Sequence, residues 1–383
     1  MGNVAQVKQN FTKKEKGLCR GIVILVDHVF STMLRSFTRA CRPPRTIIIP
    51  QLVDGPLNCT DRSSDALQFV EAIHKRLIVG LDHLEKLDAK KKQVKTLLHI
   101  YGDTAKTVKS LSEGALMSRF SGTDKERLRK ALNDVKLRHA LSAVETLFDF
   151  SCENALDDEA TKTVDRILRN HFDFILICDH FYDLADEKKA DKIVDKGAVI
   201  KIKSPITVVE MIESVRDELV FSFSVDFPDH PNLGIDIALS EEMVYFDSGR
   251  DSCCIVPSSV RYTLSECLKN AVSATMKRAD GVFTKPFVTL SSSDGLAIRV
   301  VDDGVGLEEN SGKDLFQFGH VGKIRYDRLN HQTSYAAVRD PLQGIGVGLP
   351  ISKILMEQAG GGLTVQNRPG GGGVEAKILL QQY

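Results

Sequence analysis

"SECLKNAVSATMKRA" (residues 265–279) decides the fold. Stepped at about 100° per residue from Leu264, Cys267, Leu268, Ala271 and Thr275 fall on one side of a helix. Glu266, Lys269, Asn270, Ser273 and Lys277 fall on the other. The apolar side is core-forming. The polar side carries Asn, a mediocre helix former, one turn after a Glu. A solvated face would produce this pattern, and so would a ligand-binding surface. The flanking sequence must separate the two.

Three more stretches do so. In "GLAIRVVDDGVGLEEN" (residues 295–310) a strand-like run ends at Asp302, followed by Gly304 and Gly306. Glycines permit sharp turns and close approach to a ligand, and a carboxylate at the strand end suits an exocyclic amine. In "LQGIGVGLPISKILMEQAGG" (residues 342–361), Gly344, Gly346 and Gly348 precede Leu349 and Pro350, with Pro placed for a first helical turn. A glycine loop feeding a helix N-terminus favours phosphate, through free N–H groups and the helix dipole. It is neither a dinucleotide fingerprint, which follows a strand, nor a P-loop, which ends in Gly-Lys-Ser/Thr. "QNRPGGGGVEAKILL" (residues 366–380) reads as a flexible hairpin turn before a last strand.

Outward from these, two grammars divide the chain. From residue 60 to about 185 the periodicity is helical. Val70, Ile73, Leu77, Leu81 and Leu84 share a stripe, as do Leu128, Leu132 and Val135, then Leu141, Val144 and Phe148. This predicts an antiparallel helical bundle over 46–190. After the charged stretch "ADEKKADKIVDKGA" (residues 185–198), Ser204-Pro205 signals a helix start. The runs "FSFSVDF", "GIDIALS", "PFVTLSSS", "GLAIRVVD", "LTVQN" and "VEAKILLQ" then read as strands. With helices at 260–279 and 349–359, residues 191–383 predict an α+β sandwich, a mainly antiparallel sheet covered on one face by helices.

Composition narrows the partners. The 383 residues hold 51 basic and 51 acidic side chains, giving no net charge, and there is no dense basic stripe. Nucleic acid is therefore a poor partner. No stretch reaches transmembrane length. The eight cysteines show no zinc spacing and imply reduced thiols. Residues 1–45 are basic, and "STMLRSFTRACRPPR" (residues 31–45) has no acid. That suits a mitochondrial targeting segment, although a basic first helix would look similar. Gln6 stands where a myristoylation signal wants Ser or Thr.

The ordered series E-x-x-K-N, D-x-G-x-G, a long polar segment, G-x-G-x-G-L-P and a glycine turn before the last strand resembles the Bergerat (GHKL) fold of Hsp90, MutL, gyrase and histidine kinases. More narrowly, "ECLKNAVSAT" and "GVGLPISK" resemble the boxes of the mitochondrial kinases that phosphorylate pyruvate or branched-chain 2-oxoacid dehydrogenase. The resemblance implies a mitochondrial-matrix protein serine/threonine kinase using ATP and Mg2+, and a homodimer. Its partner would be a 2-oxoacid dehydrogenase complex, with the dehydrogenase component as substrate and a lipoyl domain as a further contact. On that resemblance Asn270 ligates the metal and Glu266 faces the attacking hydroxyl as general base. Lys269 stabilises phosphate charge, and Asp302 takes the adenine amine beside Gly304 and Gly306. Residues 312–343 form a lid; Gly344, Gly346, Gly348 and Leu349 wrap the phosphates, and Gly373-Val374 completes the site. His139 in "KLRHALSAV" matches the family's Arg-His and would face the nucleotide domain, while a core histidine fits the same stripe.

The departures matter too. Val374 replaces a Thr whose hydroxyl could contact phosphate, and Ser273 replaces an Arg. His171 and Ile175 stand where the family has arginines for small oxoacids, while His180 matches. The chain ends at Tyr383, just after the last strand, where pyruvate-type members carry a lipoyl-gripping tail. The branched-chain kinase is therefore the closer pattern. Three other readings remain: a nucleotide-binding pseudokinase, an ATPase in which Glu266 activates water, and a histidine kinase. The last lacks the H-E-x-x-x-P setting of a phosphoacceptor.

Overall fold

The computed structural model describes residues 63–117, 122–154, 156–184, 200–202, 205–226, 234–237, 253–278, 283–291, 296–307, 315–318, 346–370 and 372–380. The basic N-terminal segment, Gly344 and all of the predicted lid except 315–318 lie outside these residues.

Among the described residues, four long helices come first: α1 (Ser63–Leu84), α2 (Lys92–Met117), α3 (Gly122–Glu153) and α4 (Asp158–Leu184). Each packs on the next, and α1 also packs on α4. The predicted stripes supply the core: Val70, Ile73, Leu77 and Leu84 from α1, and Leu128, Leu132 and Val135 from α3, are buried. They meet Val94, Leu97 and Val108 of α2 and Ile167, Leu168 and Phe181 of α4.

Among the described residues, the second region holds α5 (Pro205–Asp226), α6 (Pro257–Met276), α7 (Gly348–Gln358) and seven strands. Strands β1 (Ile200–Ile202) and β3 (Cys253–Ile255) form an antiparallel ribbon. Strands β2 (Asp236–Ile237), β4 (Phe287–Ser291), β5 (Ala297–Val301), β6 (Gly362–Asn367) and β7 (Val374–Leu379) form a sheet in the order β2-β4-β5-β7-β6. Only the β2–β4 pair is parallel. Period-two alternation places matching rows on one face: Val288, Val300, Ala376 and Val365 lie across from one another, as do Leu290, Ile298, Ile378 and Leu363. Against these rows pack Val208, Ile212 and Val215 of α5 and Leu264, Leu268 and Val272 of α6. A mixed, mainly antiparallel sheet under helices is what the sequence predicts.

One predicted strand is a helix. "FSFSVDF" alternates with period two, but residues 221–226 continue α5. Phe223 extends the buried stripe of Val208, Ile212, Val215 and Leu219 at helical spacing, while Phe221 is left 73% exposed. No Gly or Pro interrupts the helix after Pro205, so packing overrides local alternation. Strands β1 and β3, three residues each, gave no periodic signal.

Candidate functional site

The polar side of α6 is not a solvated face. Glu266 is only 9% exposed and Ser273 is buried; Lys269 and Asn270 are half-buried, and only Lys277 stands in solvent. Glu266 forms an ion pair with Lys269, one turn on. Its carboxylate also lies against Gly348, where an added Cβ would collide with it. Gly348 is the first residue of α7, whose N-terminus has no side-chain cap. The N–H groups of Gly348 and Leu349 therefore sit in the uncapped first turn, where a helix favours anions. Gly346 adopts φ 78°, the left-handed region that lets the loop turn into the helix. Leu349 packs partly buried against the sheet-side core.

Ala274, two turns beyond Glu266, meets the second glycine loop. A Cβ on Gly304 would lie 2.6 Å from the Ala274 carbonyl carbon, and the Val305 N–H reaches the Ala274 carbonyl at 3.4 Å. Eight residues at 1.5 Å each separate these contacts by roughly 12 Å. One helix thus spaces the D-x-G-x-G turn from the α7 N-terminus, and Asn270 lies midway. No hydrogen bond among the described residues takes up the Asn270 side-chain amide.

Asp302, 5% exposed, ends β5. Its Oδ1 accepts hydrogen bonds from the N–H groups of Gly304 at 2.8 Å and Val374 at 3.2 Å. Both bonds fall on one oxygen, and Oδ2 has none among the described residues. Burial pushes the carboxyl above the usual Asp range, and those two N–H donors oppose it. Gly373, at φ 90°, abuts the Asp302 carbonyl and has no room for a side chain. Gly373 and Val374 thus serve the Asp302 end of the site. The Val374 contact in this structure is main-chain N–H and goes to Asp302; its side chain carries no hydroxyl for a phosphate.

Among the described residues no hydrogen bond or ring contact joins this cluster to His139. It is 1% exposed inside the helical core. Its Nδ1 lies 3.1 Å from Thr104 Oγ1 and its ring packs on Tyr101, His171 and Phe174. Burial, then the neighbouring His171, drives its pKa well below the ordinary value. Among the described residues its Nε2 has no hydrogen-bond partner, so no bond joins it to Glu266. The apolar stripe of α3 turned it inward.

Residues that the sequence reading passed over hold the base-side loop. Asn367 bonds the main chain of Leu307, and Arg368 pairs with Asp303. Arg278 donates to the Asp303 carbonyl at 2.9 Å. Their signal was available in the second Asp of "DDG" and in the "NR" before the glycine turn.

These features fit a magnesium nucleotide. Among the described residues no three His, Cys, Asp or Glu side chains gather as a metal cage, but magnesium commonly takes one or two protein oxygens and completes its shell with phosphate and water. The uncapped helix, the unengaged Asn270 amide and Oδ2 of Asp302 match triphosphate, metal and exocyclic amine respectively. Among the described residues no helix is long and apolar enough to cross a membrane. Residues 255–382 match the family described as "Histidine kinase-, DNA gyrase B-, and HSP90-like ATPase", and this part of the chain is accordingly a nucleotide-binding domain of the GHKL type.

Proposed function

We propose that the chain is an ATP- and magnesium-dependent protein serine/threonine kinase of the mitochondrial matrix, acting on a component of a 2-oxoacid dehydrogenase complex. The observation that supports it most is the seating of Glu266 against Gly348 at the α7 N-terminus, where phosphates bind in domains of this kind. The boxes around Glu266 and Gly348 then supply the narrower resemblance. Bound Mg-ATP supplies the phosphoryl group, and the protein contributes positioning and charge. Asn270 holds the metal through its amide oxygen. Glu266 orients an acceptor hydroxyl and takes its proton. Lys269 holds the Glu266 carboxylate in place by their ion pair.

Asn270→Ala is expected to abolish Mg-ATP binding, whereas Glu266→Gln keeps binding and loses transfer. Labelled ATP added to fractionated mitochondrial extract, with wild type beside Glu266→Gln, checks both, and the label should appear as phosphoserine or phosphothreonine. Normal transfer by both variants would refute the site. The family match also covers ATPases, so a second reading is hydrolysis with Glu266 activating water. Acceptor-free turnover as fast as transfer would select it, and acid-labile phosphate on protein would select histidine chemistry.

A further inference from the structure

The glycine turn before the last strand reads in the sequence as a flexible hairpin. In the structure it carries a clamp. Asn367 closes β6 opposite Val374, whose N–H bonds Asp302. The Asn367 side chain grips one residue twice: its Oδ1 accepts from the Leu307 N–H at 2.6 Å and its Nδ2 donates to the Leu307 carbonyl at 2.9 Å. Arg368 follows. Its guanidinium donates to the Asp302 carbonyl at 3.3 Å and pairs with the Asp303 carboxylate. The turn is closed by the Arg368 N–H on the Gly373 carbonyl at 3.2 Å. Gly306, at φ 76° between these anchors, would bring an added Cβ to 3.2 Å from Asn367 Oδ1.

The loop from Asp302 to Leu307 is therefore tied at both ends from residues 367 and 368. A turn with two glycines has large conformational freedom to lose, and a side chain that bonds both the donor and the acceptor of one peptide residue restrains it without covering the base side. Among the described residues no hydrogen bond or ion pair joins either residue to the phosphate half at α7. We propose that Asn367 and Arg368 are positioning residues that pre-form the base half of the nucleotide site independently of the phosphate half. This rests on the adenine-nucleotide reading above.

The test uses the full chain. Calorimetric titration with adenosine, ADP and Mg-ATP is expected to show Asn367→Ala weakening all three by a similar factor, about five- to tenfold for two exposed hydrogen bonds. Asn367→Asp keeps the acceptor for the Leu307 N–H and lacks the donor, so it falls between. Arg368→Met follows the same pattern. Unchanged affinities, or a loss that grows with the number of phosphates, would overturn the proposal. If wild type binds no adenine compound, the nucleotide reading fails, and amide hydrogen exchange still decides the clamp. The Leu307 amide should be protected in wild type and exchange faster in Asn367→Ala, with Asn367→Asp between the two because it keeps the acceptor. Equal exchange in all three proteins ends the proposal.

Discussion

Asp302 does two jobs with two oxygens. Oδ1 completes the turn by accepting from Gly304 and Val374, and Oδ2, which accepts no hydrogen bond among the described residues, is where the proposed adenine amine would reach. Substitutions that separate the jobs have opposite effects. Asp302→Asn retains an acceptor for the two main-chain donors, so the domain should fold with near-native stability. The amide's N–H₂ now faces an exocyclic amine, and donor meets donor. Adenosine affinity should fall by at least tenfold, the factor set by about 1.4 kcal/mol. Asp302→Ala strands two buried N–H groups, costing about 1–3 kcal/mol, and lowers the urea midpoint as well. Equal adenosine binding by Asp302→Asn and wild type would remove Asp302 from the base site. The residue scale was partly legible: a Gly after an Asp suggests a turn, but nothing local says that the second partner lies 72 residues on.

Elements were legible where one periodicity ruled. Helix α6 was legible from its own periodicity, since its apolar side is core, and burial of Glu266 and Ser273 sets its polar side apart from a solvated face. α5 was half-legible, because its last turn carries an alternation that only Phe223's packing resolves. Of α3 the stripe was readable, but what its polar residues face was not. There Tyr101 of α2, His139 of α3 and His171 of α4 stack in the helical core, and the Tyr101 hydroxyl, His139 Nε2 and both His171 nitrogens have no hydrogen-bond partner among the described residues. The neighbouring ion pair of Lys136 with Asp179 ties α3 to α4. Burial holds His171 at about 3, against 6.5 in the open chain, and lowers His139 in the same direction. The sign follows from proton counts. Below about 6.5 the unfolded chain binds protons that the folded core refuses, so stability present above that pH is lost as pH falls toward the folded values. Each such histidine adds a slope of about 1.4 kcal/mol per pH unit. His171→Phe removes two unpartnered nitrogens at little cost near pH 7.5 and should flatten the slope, ending more stable than wild type at pH 5. Urea unfolding at the two pH values measures this, and parallel slopes would contradict it.

At the scale of the molecule, α7 belongs to two cores at once. Met356 and Leu349 pack toward the sheet, while Ile351, Ile354 and Leu355 lie in the core of the four helices. The Gln358 amide donates to the Arg169 carbonyl and to Asp173 Oδ1, both at 2.8 Å, and Glu357 pairs with Arg169 at 2.7 Å. Beside it, Phe316 packs on the sheet side under Lys353 and Phe318 is buried among the helices. No sequence pattern within 315–318 or 348–358 reveals this sharing, because an amphipathic helix shows how wide its apolar stripe is and not how many partners divide it. The arrangement has a thermodynamic consequence. A ligand stabilises whatever unfolds with its site, and the first turn of α7 is where phosphates would bind. Mg-ATP should therefore raise the unfolding temperature of the four helices together with that of the sheet region in wild type. Ile354→Asp places a charge in the shared core, where it has no partner and cannot stay without opening the contact. The two regions should then unfold separately, with Mg-ATP shifting only the sheet region. Hydrogen exchange resolved to α4 and β5 distinguishes them: protection of α4 by Mg-ATP in wild type and its loss in Ile354→Asp is the expected pair of results. Equal protection of α4 in both proteins would mean that the contact through α7 carries no coupling.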